Sequence, residues 1–180
     1  MSTSRLCLRR FQVGDGAALF RLIERNRARM APWFPQTVGY VQTASDAELF
    51  VHARLAEWLL QQTYAFAISS VKDDSLIGCA TLKSFDWLVG RAEIAYYLDH
   101  ASEGQGLMLE AMEAVLAFAF GELHVTKVEA RVAEENLRSA TLLERLGFGR
   151  EGRIRRSFVA NGRSLDMVHF GLVRELAPEK

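Results

Sequence analysis

Apolar and polar positions alternate at the start of the chain: Leu6, Leu8 and Phe11 are spaced by polar neighbours and predict a first strand ending near Arg10. Gly14-Asp15-Gly16 breaks that pattern, and Asp15 is placed to cap a helix over 17–26 whose apolar face carries Leu19, Phe20, Leu22 and Ile23. Pro32 and Pro35 then flank Trp33 and Phe34, which forbids regular helix across 30–35. A second helix is expected from a cap at Thr43 or Ser45 to about Gln62, with Leu49, Phe50, Ala53, Leu55, Ala56 and Leu59 turned inward. Beyond it the pattern changes to strands. A hairpin is predicted over 64–70 and 76–84, turning at Asp73-Asp74, and a fourth strand over 91–98. An uninterrupted apolar helix over 107–120 follows, then a short strand over 127–132 and a helix starting at Asn136 and ending before Gly147. Two closing strands, 148–159 and 164–173, meet at Asn161-Gly162, a strong hairpin signal. The order β-α-α-β-β-β-α-β-α-β-β, without internal repeat or linker, reads as one mixed α/β domain over 1–180.

Composition narrows the class. A hydrophobic fraction of 49% and a charged fraction of 24% are those of an ordinary globular chain, long enough to bury a core. Twenty-two basic and 22 acidic side chains cancel, so neither nucleic acid nor membrane is an expected partner. Arginines cluster at Arg21, Arg25, Arg27 and Arg29 and at Arg153, Arg155 and Arg156, and read as solvated faces. Cys7 and Cys79 form no CxxC pair, the first residues lack the apolar core of a signal peptide, and the run over 107–120 is too short to span a bilayer; a cytoplasmic location is expected. His52, His100, His124 and His169 show no metal-ligand spacing, so no metal is expected, and no G-x-S-x-G elbow occurs.

The segment from His100 to Leu107 carries the first chemical signal. Gly104 and Gly106 sit between a predicted strand and a long helix, where a tight turn brings successive N–H groups toward one point beside the positive end of the helix. That is a site for a phosphate or pyrophosphate held mainly by main chain. A P-loop needs Lys then Ser or Thr where Leu107-Met108 stand, and a dinucleotide fingerprint needs a third glycine where Leu109 stands.

The order of elements and four stretches together resemble the GNAT superfamily of N-acetyltransferases, and within it the RimJ/RimL type that acetylates the N-termini of ribosomal proteins. The stretches are Asn26-Arg27 through Trp33-Phe34-Pro35, the glycine loop, the segment from Asn136 to Gly147-Phe148, and Asn161-Gly162-Arg163 with Asp166. The resemblance covers nearly the whole chain. It implies a central twisted mixed sheet of about seven strands flanked by about four helices, acetyl-CoA as cosubstrate, and a homodimer. Glu103, Gly104, Gln105, Gly106 and Leu107 would surround the pyrophosphate, with Tyr96, Tyr97 and Leu98 beside the cofactor. A backbone N–H near Tyr96 and Tyr97 would face the acetyl oxygen. Asn136 would contact the pantetheine arm, cap its helix, or do both. Where the family has Gln or Arg three residues before the first glycine, this chain has Ala101, so that side-chain grip is missing.

Acyl transfer from a thioester requires a neutral amine, a donor for the oxyanion and stabilisation of the departing thiolate. Glu93 is the candidate base, acting directly or through water; the alternative is a strand glutamate paired with Arg91 or another surface cation. The tyrosine that many family members place seven residues after the asparagine is Leu143 here, whereas Ser139 matches the serine of the resembled branch. A hydroxyl is a far weaker acid than a thiol of pKa about 8.5, so Ser139 is expected to hydrogen-bond the thiolate, with water or the ammonium product supplying the proton. Trp33, Phe34, Tyr40, Phe85, Trp87 and Phe158 are candidate walls of the acceptor site, and equally ordinary core material. The readings are a protein N-terminal acetyltransferase, an acetyltransferase of small amines (antibiotic, polyamine or aminoacyl compound), and a non-catalytic acetyl-CoA-binding module.

Overall fold

The computed structural model describes residues 1–174, and the last six positions of the expected 1–180 domain lie outside the described residues. Seven strands form one sheet: β1 (Leu6–Arg10), β2 (Tyr64–Ser70), β3 (Leu76–Asp86), β4 (Arg91–Leu98), β5 (Lys127–Ala133), β6 (Gly149–Ala160) and β7 (Arg163–Val173). Their spatial order is β1-β2-β3-β4-β5-β7-β6. Every neighbouring pair is antiparallel except β4 and β5. Those two are parallel and register only at Arg91–Lys127, Ala92–Val128 and Glu93–Glu129. Beyond Glu93 the strands part, while each still pairs with its other neighbour. The sheet therefore opens into a wedge at its centre.

Alternate residues of the strands serve opposite faces. Phe66, Ile68, Leu82 and Val128 pack with Met108, Met112 and Val115 of α4 (Leu107–Gly121) and with Leu143 of α5 (Leu137–Arg145). On the other face Ala65, Ala67 and Cys79 pack under α1 (Gly16–Met30) and α3 (Ala44–Leu59) through Leu19, Leu22, Ile23, Ala47 and Val51. β2 is buried along nearly its whole length, as a central strand covered on both faces must be.

The predicted strands and the α4 and α5 segments lie within a few residues of their expected limits, and the mixed seven-stranded sheet is present. At the hairpin tip Asn161 and Gly162 adopt φ of 50° and 72°, the left-handed pair a two-residue turn requires. The described residues hold five α-helices rather than four. The additional one, α2 (Pro35–Tyr40), begins on a proline that reads as a breaker in the sequence. At the first helical position the missing N–H has no partner to lose.

α3 meets expectation only in part: Phe50 and Leu55 pack against the core, but the buried stripe is centred elsewhere. Ala47 and Val51 are buried while Leu49, Ala53, Ala56 and Leu59 face outward, because apolar residues occur all around this helix and periodicity cannot choose among its faces. Its start is fixed by a capping box between Thr43 and Asp46. Asp15 does not cap α1 with its side chain. Arg9 binds both of its oxygens at 2.7 and 2.9 Å, and the N–H groups of Gly14 and Gly16 donate instead to Glu48 of α3 at 2.7 and 2.8 Å. The cap of α1 is thus supplied by a tertiary contact.

Candidate active site

β4 runs directly into the glycine loop. At its end Asp99 is buried, donating its N–H to Ile77 at 2.7 Å and accepting from Arg25 Nε at 2.8 Å and Asn26 Nδ2 at 3.0 Å. Burial alone would raise this carboxyl; the hydrogen bonds from Arg25 and Asn26 outweigh it and hold the group below the usual carboxylate range. Asn26 also accepts the His100 N–H at 3.0 Å. α1 is therefore pinned to the beginning of the loop.

Gly104 and Gly106 both have φ of 74°, a conformation in which a side chain is strained. Among the described residues, no hydrogen bond is made by the N–H groups of 104–109, which span the loop and the first turn of α4. Arg5 braces the loop from behind, donating to the Gln105 carbonyl at 2.9 Å and pairing with Glu110 at 2.6 Å. Hydrogen bonds from Thr3, Arg5 and Ser4 pull the Glu110 carboxyl down to about 2. The Gln105 side chain folds back onto the Ala101 carbonyl at 3.2 Å, so this residue offers the site its main chain only.

In front of the loop, Glu103 collects Arg29 from α1, Arg138 from α5 at 2.6 Å and His100 at 3.4 Å. Positive charge absent at Ala101 is thus brought in from two helices. The α1 arginines Arg21, Arg25 and Arg29 are exposed, as a solvated face would be, yet three of the cluster also hold partners: Arg25 and Arg29 hold the loop, and Arg27 donates to the Val38 and Val41 carbonyls at 2.8 Å each, fastening α2.

A cavity of about 1390 Å³ occupies the wedge between β4 and β5. One end reaches Glu103, Gly104, Gly106 and Leu107; the middle is lined by Tyr96, Tyr97, Leu98, Asn136 and Ser139; the far end is walled by Trp33, Phe34, Phe158 and Met167. An extended ligand with a pyrophosphate at the loop and a thin arm in the wedge fits this shape. The unpaired N–H groups and the missing Cβ atoms at Gly104 and Gly106 suit that anion.

Glu93 and Ser139 reach the cavity from opposite sides. Glu93 shares its sheet face with Lys83 and Arg131; Arg131 binds both carboxylate oxygens at 3.0 and 3.1 Å, and Lys83 lies 3.3 Å away. Its cation partners are these two, and Arg91 pairs with Asp86 and Glu129 instead. The carboxylates lining the cavity are Glu93 and Glu103, among the described residues. On the other face of β4, the Tyr96 hydroxyl lies 2.7 Å from Ser139 Oγ. Burial pushes the Tyr96 phenol up to about 12, so it stays protonated. Asn136 accepts the Ser139 N–H at 3.3 Å, capping α5 at the cavity wall.

Three of the expected acceptor walls lie elsewhere. Tyr40 is half exposed on α2, with its ring 6.4 Å from Phe50. Phe85 stacks on Trp87 at 4.4 Å and packs against Tyr64 on the α4 face. A register shift after Lys83, with Ser84 at φ of 52°, turns Phe85 away from the face Lys83 shares with Glu93. Arg29, Arg138, Lys83 and Arg131 line the cavity although no local pattern marks them, since each reaches it from a separate element. Among the described residues no group of three His, Cys, Asp or Glu could hold a metal ion, and no helix is long and apolar enough to cross a membrane.

Residues 5–149 match the family model described as an acetyltransferase (GNAT) domain. The ribosomal-protein-serine acetyltransferase of Escherichia coli (strain K12) is 30% identical over 148 residues, covering 79% of this chain and 78% of that protein. The spermidine N(1)-acetyltransferase of Vibrio cholerae is 25% identical over 164 residues, covering 91% and 90% respectively. A solved structure of RimL, described as a ribosomal L7/L12 alpha-N-protein acetyltransferase in complex with coenzyme A, superposes with a TM-score of 0.89 at 19% identity, covering 95% of each chain.

Proposed function

The chain belongs to the GNAT acetyltransferase family, and from that premise we propose that it acetylates the N-terminal α-amine of a protein, such as a ribosomal protein. It is an acetyl-CoA-dependent N-acetyltransferase of the GNAT type. The observation carrying the finer reading is the wedge past Glu93, which joins the unpaired N–H groups of 104–109 to a pocket walled by Trp33, Phe34 and Phe158. Both substrates would occupy it at once, the cofactor entering from the loop and the amine from the aromatic end.

In this reading the loop and α4 bind the pyrophosphate through main chain, Arg29 and Arg138 add charge, and Asn136 and 96–98 flank the arm. Glu93 has room for one further acceptor contact beside its Arg131 and Lys83 partners, and through a water it takes the proton that makes the amine a nucleophile. Nitrogen attacks the carbonyl carbon, main-chain N–H groups of the parted strand stabilise the oxyanion, and the C–S bond breaks with its electron pair on sulfur. Ser139 donates a hydrogen bond to that sulfur.

Charge favours a peptide over a polyamine. Lys83 and Arg131 line the cavity near Glu93, whose carboxylate they already engage. A polyamine brings further ammonium groups that need free carboxylates, whereas an α-amine on a peptide brings one. Thiol release from acetyl-CoA, measured against a panel of peptide N-termini and a panel of small amines, tests the reading. Turnover with peptides is expected; turnover confined to the amine panel replaces the acceptor, and coenzyme A binding without turnover on either panel overturns catalysis. The proposal includes action in the cytoplasm and a homodimer, which light scattering reads as twice the chain mass.

A further inference from the structure

Besides flanking the middle of the cavity, Tyr96 has a side chain placed to act on Ser139. β4 directs the ring onto the α4 and α5 face, away from Glu93, and the hydroxyl ends 2.7 Å from Ser139 Oγ on the first turn of α5. The hydroxyl is 3.4 Å from the Ser139 carbonyl, so its close contact is the serine oxygen. Both residues line the cavity at its middle.

We propose that Tyr96 is a positioning residue that donates its hydroxyl proton to Ser139 Oγ and thereby commits the serine's own proton to the sulfur of the departing coenzyme A. This rests on the Ser139 role proposed above and deepens it. The direction follows from acidity: a phenol is a stronger donor than an alcohol, and an alcohol oxygen the better acceptor. A helical serine left to itself donates to a carbonyl one turn back. Once its oxygen is filled by Tyr96, the Ser139 hydroxyl is oriented and polarised, and a chain Tyr96 O–H to Ser139 O–H to sulfur forms. Burial reinforces this, since it keeps the phenol protonated. Neither residue gives up a proton. The C–S electron pair stays on sulfur as thiolate until the proton lost by the attacking ammonium reaches it through water. The family's usual tyrosine position is Leu143 here, a fully buried core residue, so the phenol near the sulfur is delivered by β4 through a serine.

The test is a double-mutant cycle read against the leaving group. Tyr96→Phe keeps the ring and should lower kcat about tenfold with KM for acetyl-CoA within about twofold. Ser139→Ala should lower kcat about 10²-fold. Adding Tyr96→Phe to Ser139→Ala should cost nothing more, and an aryl thioester with a more acidic thiol should shrink both deficits. Full activity in Tyr96→Phe with loss in Ser139→Ala overturns this proposal and spares the Ser139 role; full activity in Ser139→Ala overturns both. A Tyr96→Phe deficit that persists in the Ser139→Ala background or with the aryl thioester marks mere packing and overturns it as well.

A second measurement needs no Tyr96 variant. With 13C at the phenol carbon of the four tyrosines, the Tyr96 signal should move on adding coenzyme A, less with desulfo-coenzyme A, and lose that difference in Ser139→Ala. Equal shifts with both ligands overturn the hydrogen-bond chain.

Discussion

At the loop end of the cavity, the wall is main chain: two glycines at φ of 74°, N–H groups without acceptors, and the first turn of α4. At the aromatic end the wall is side chain, with Trp33 and Phe34 from the stretch between α1 and α2, Phe158 from β6 and Met167 from β7. Backbone recognition at the first end needs only glycine and a helix start, and tolerates varied side chains there. In the proposed reading, side-chain recognition at the second can change acceptor without disturbing the cofactor grip. One fold can thus keep its donor while relatives carry names as different as ribosomal-protein-serine and spermidine acetyltransferase. Glu93 and the pair Tyr96–Ser139 lie between the ends, on opposite sheet faces, and the wedge lets both line one cavity.

Variants that separate the two ends sharpen this contrast. The largest expected effect is at the junction: Glu93→Gln should lower kcat about 10²- to 10³-fold while coenzyme A affinity stays within about twofold. The deficit should narrow at alkaline pH, where the amine is already neutral, and steady-state kinetics across pH would show it. Gly106→Val places a branched side chain at a positive φ; the loop relaxes, and calorimetry should find coenzyme A bound about 30-fold more weakly, with peptide KM little changed.

Asp99→Ala breaks the contrast itself, because Asp99 ties α1, and with it Arg29 and Trp33, to the loop. It should cost about 2 kcal/mol in denaturant unfolding and weaken both ligands. The Asp99 carboxyl is held below its unfolded value, so its contribution is complete above the ordinary carboxylate pKa and is lost as pH falls through the folded one. Trp33→Ala should raise acceptor KM about tenfold and leave coenzyme A binding alone. The smallest effect is at Glu110, half-buried at the back of the loop. Its pKa of about 2 lies below the ordinary value, so its stabilisation is present at neutral pH and fades as pH drops toward 2. Glu110→Gln should cost under about 1 kcal/mol at pH 7 and flatten the acid limb of thermal melts.

The loop end was legible because its chemistry is local. Gly104 and Gly106 between a strand pattern and an apolar helix already imply converging N–H groups, and Asn136 with Gly147-Phe148 brackets α5 wherever the helix lies. The acceptor end was half legible. Trp33 and Phe34 line the cavity, whereas Phe85 and Trp87 do not, because one irregular residue at Ser84 reverses the strand's alternation. α2 is not legible because proline starts a helix as readily as it stops one, and the inward face of α3 is only half legible, through Phe50 and Leu55, because apolar residues surround the helix.

By itself the sequence determined the order of elements, the glycine turn ahead of α4 and the family, since each depends on residues close together in the chain and on backbone geometry those residues impose. The tertiary structure alone decided which side chains meet. Arg29, Arg138 and His100 converge on Glu103, Lys83 and Arg131 claim Glu93, and Tyr96 reaches Ser139 across 43 positions of chain. All of those contacts but that of His100 join separate elements, and the cavity they line opens because β4 and β5 stop pairing after Glu93, a property of the assembled sheet that no residue in either strand announces.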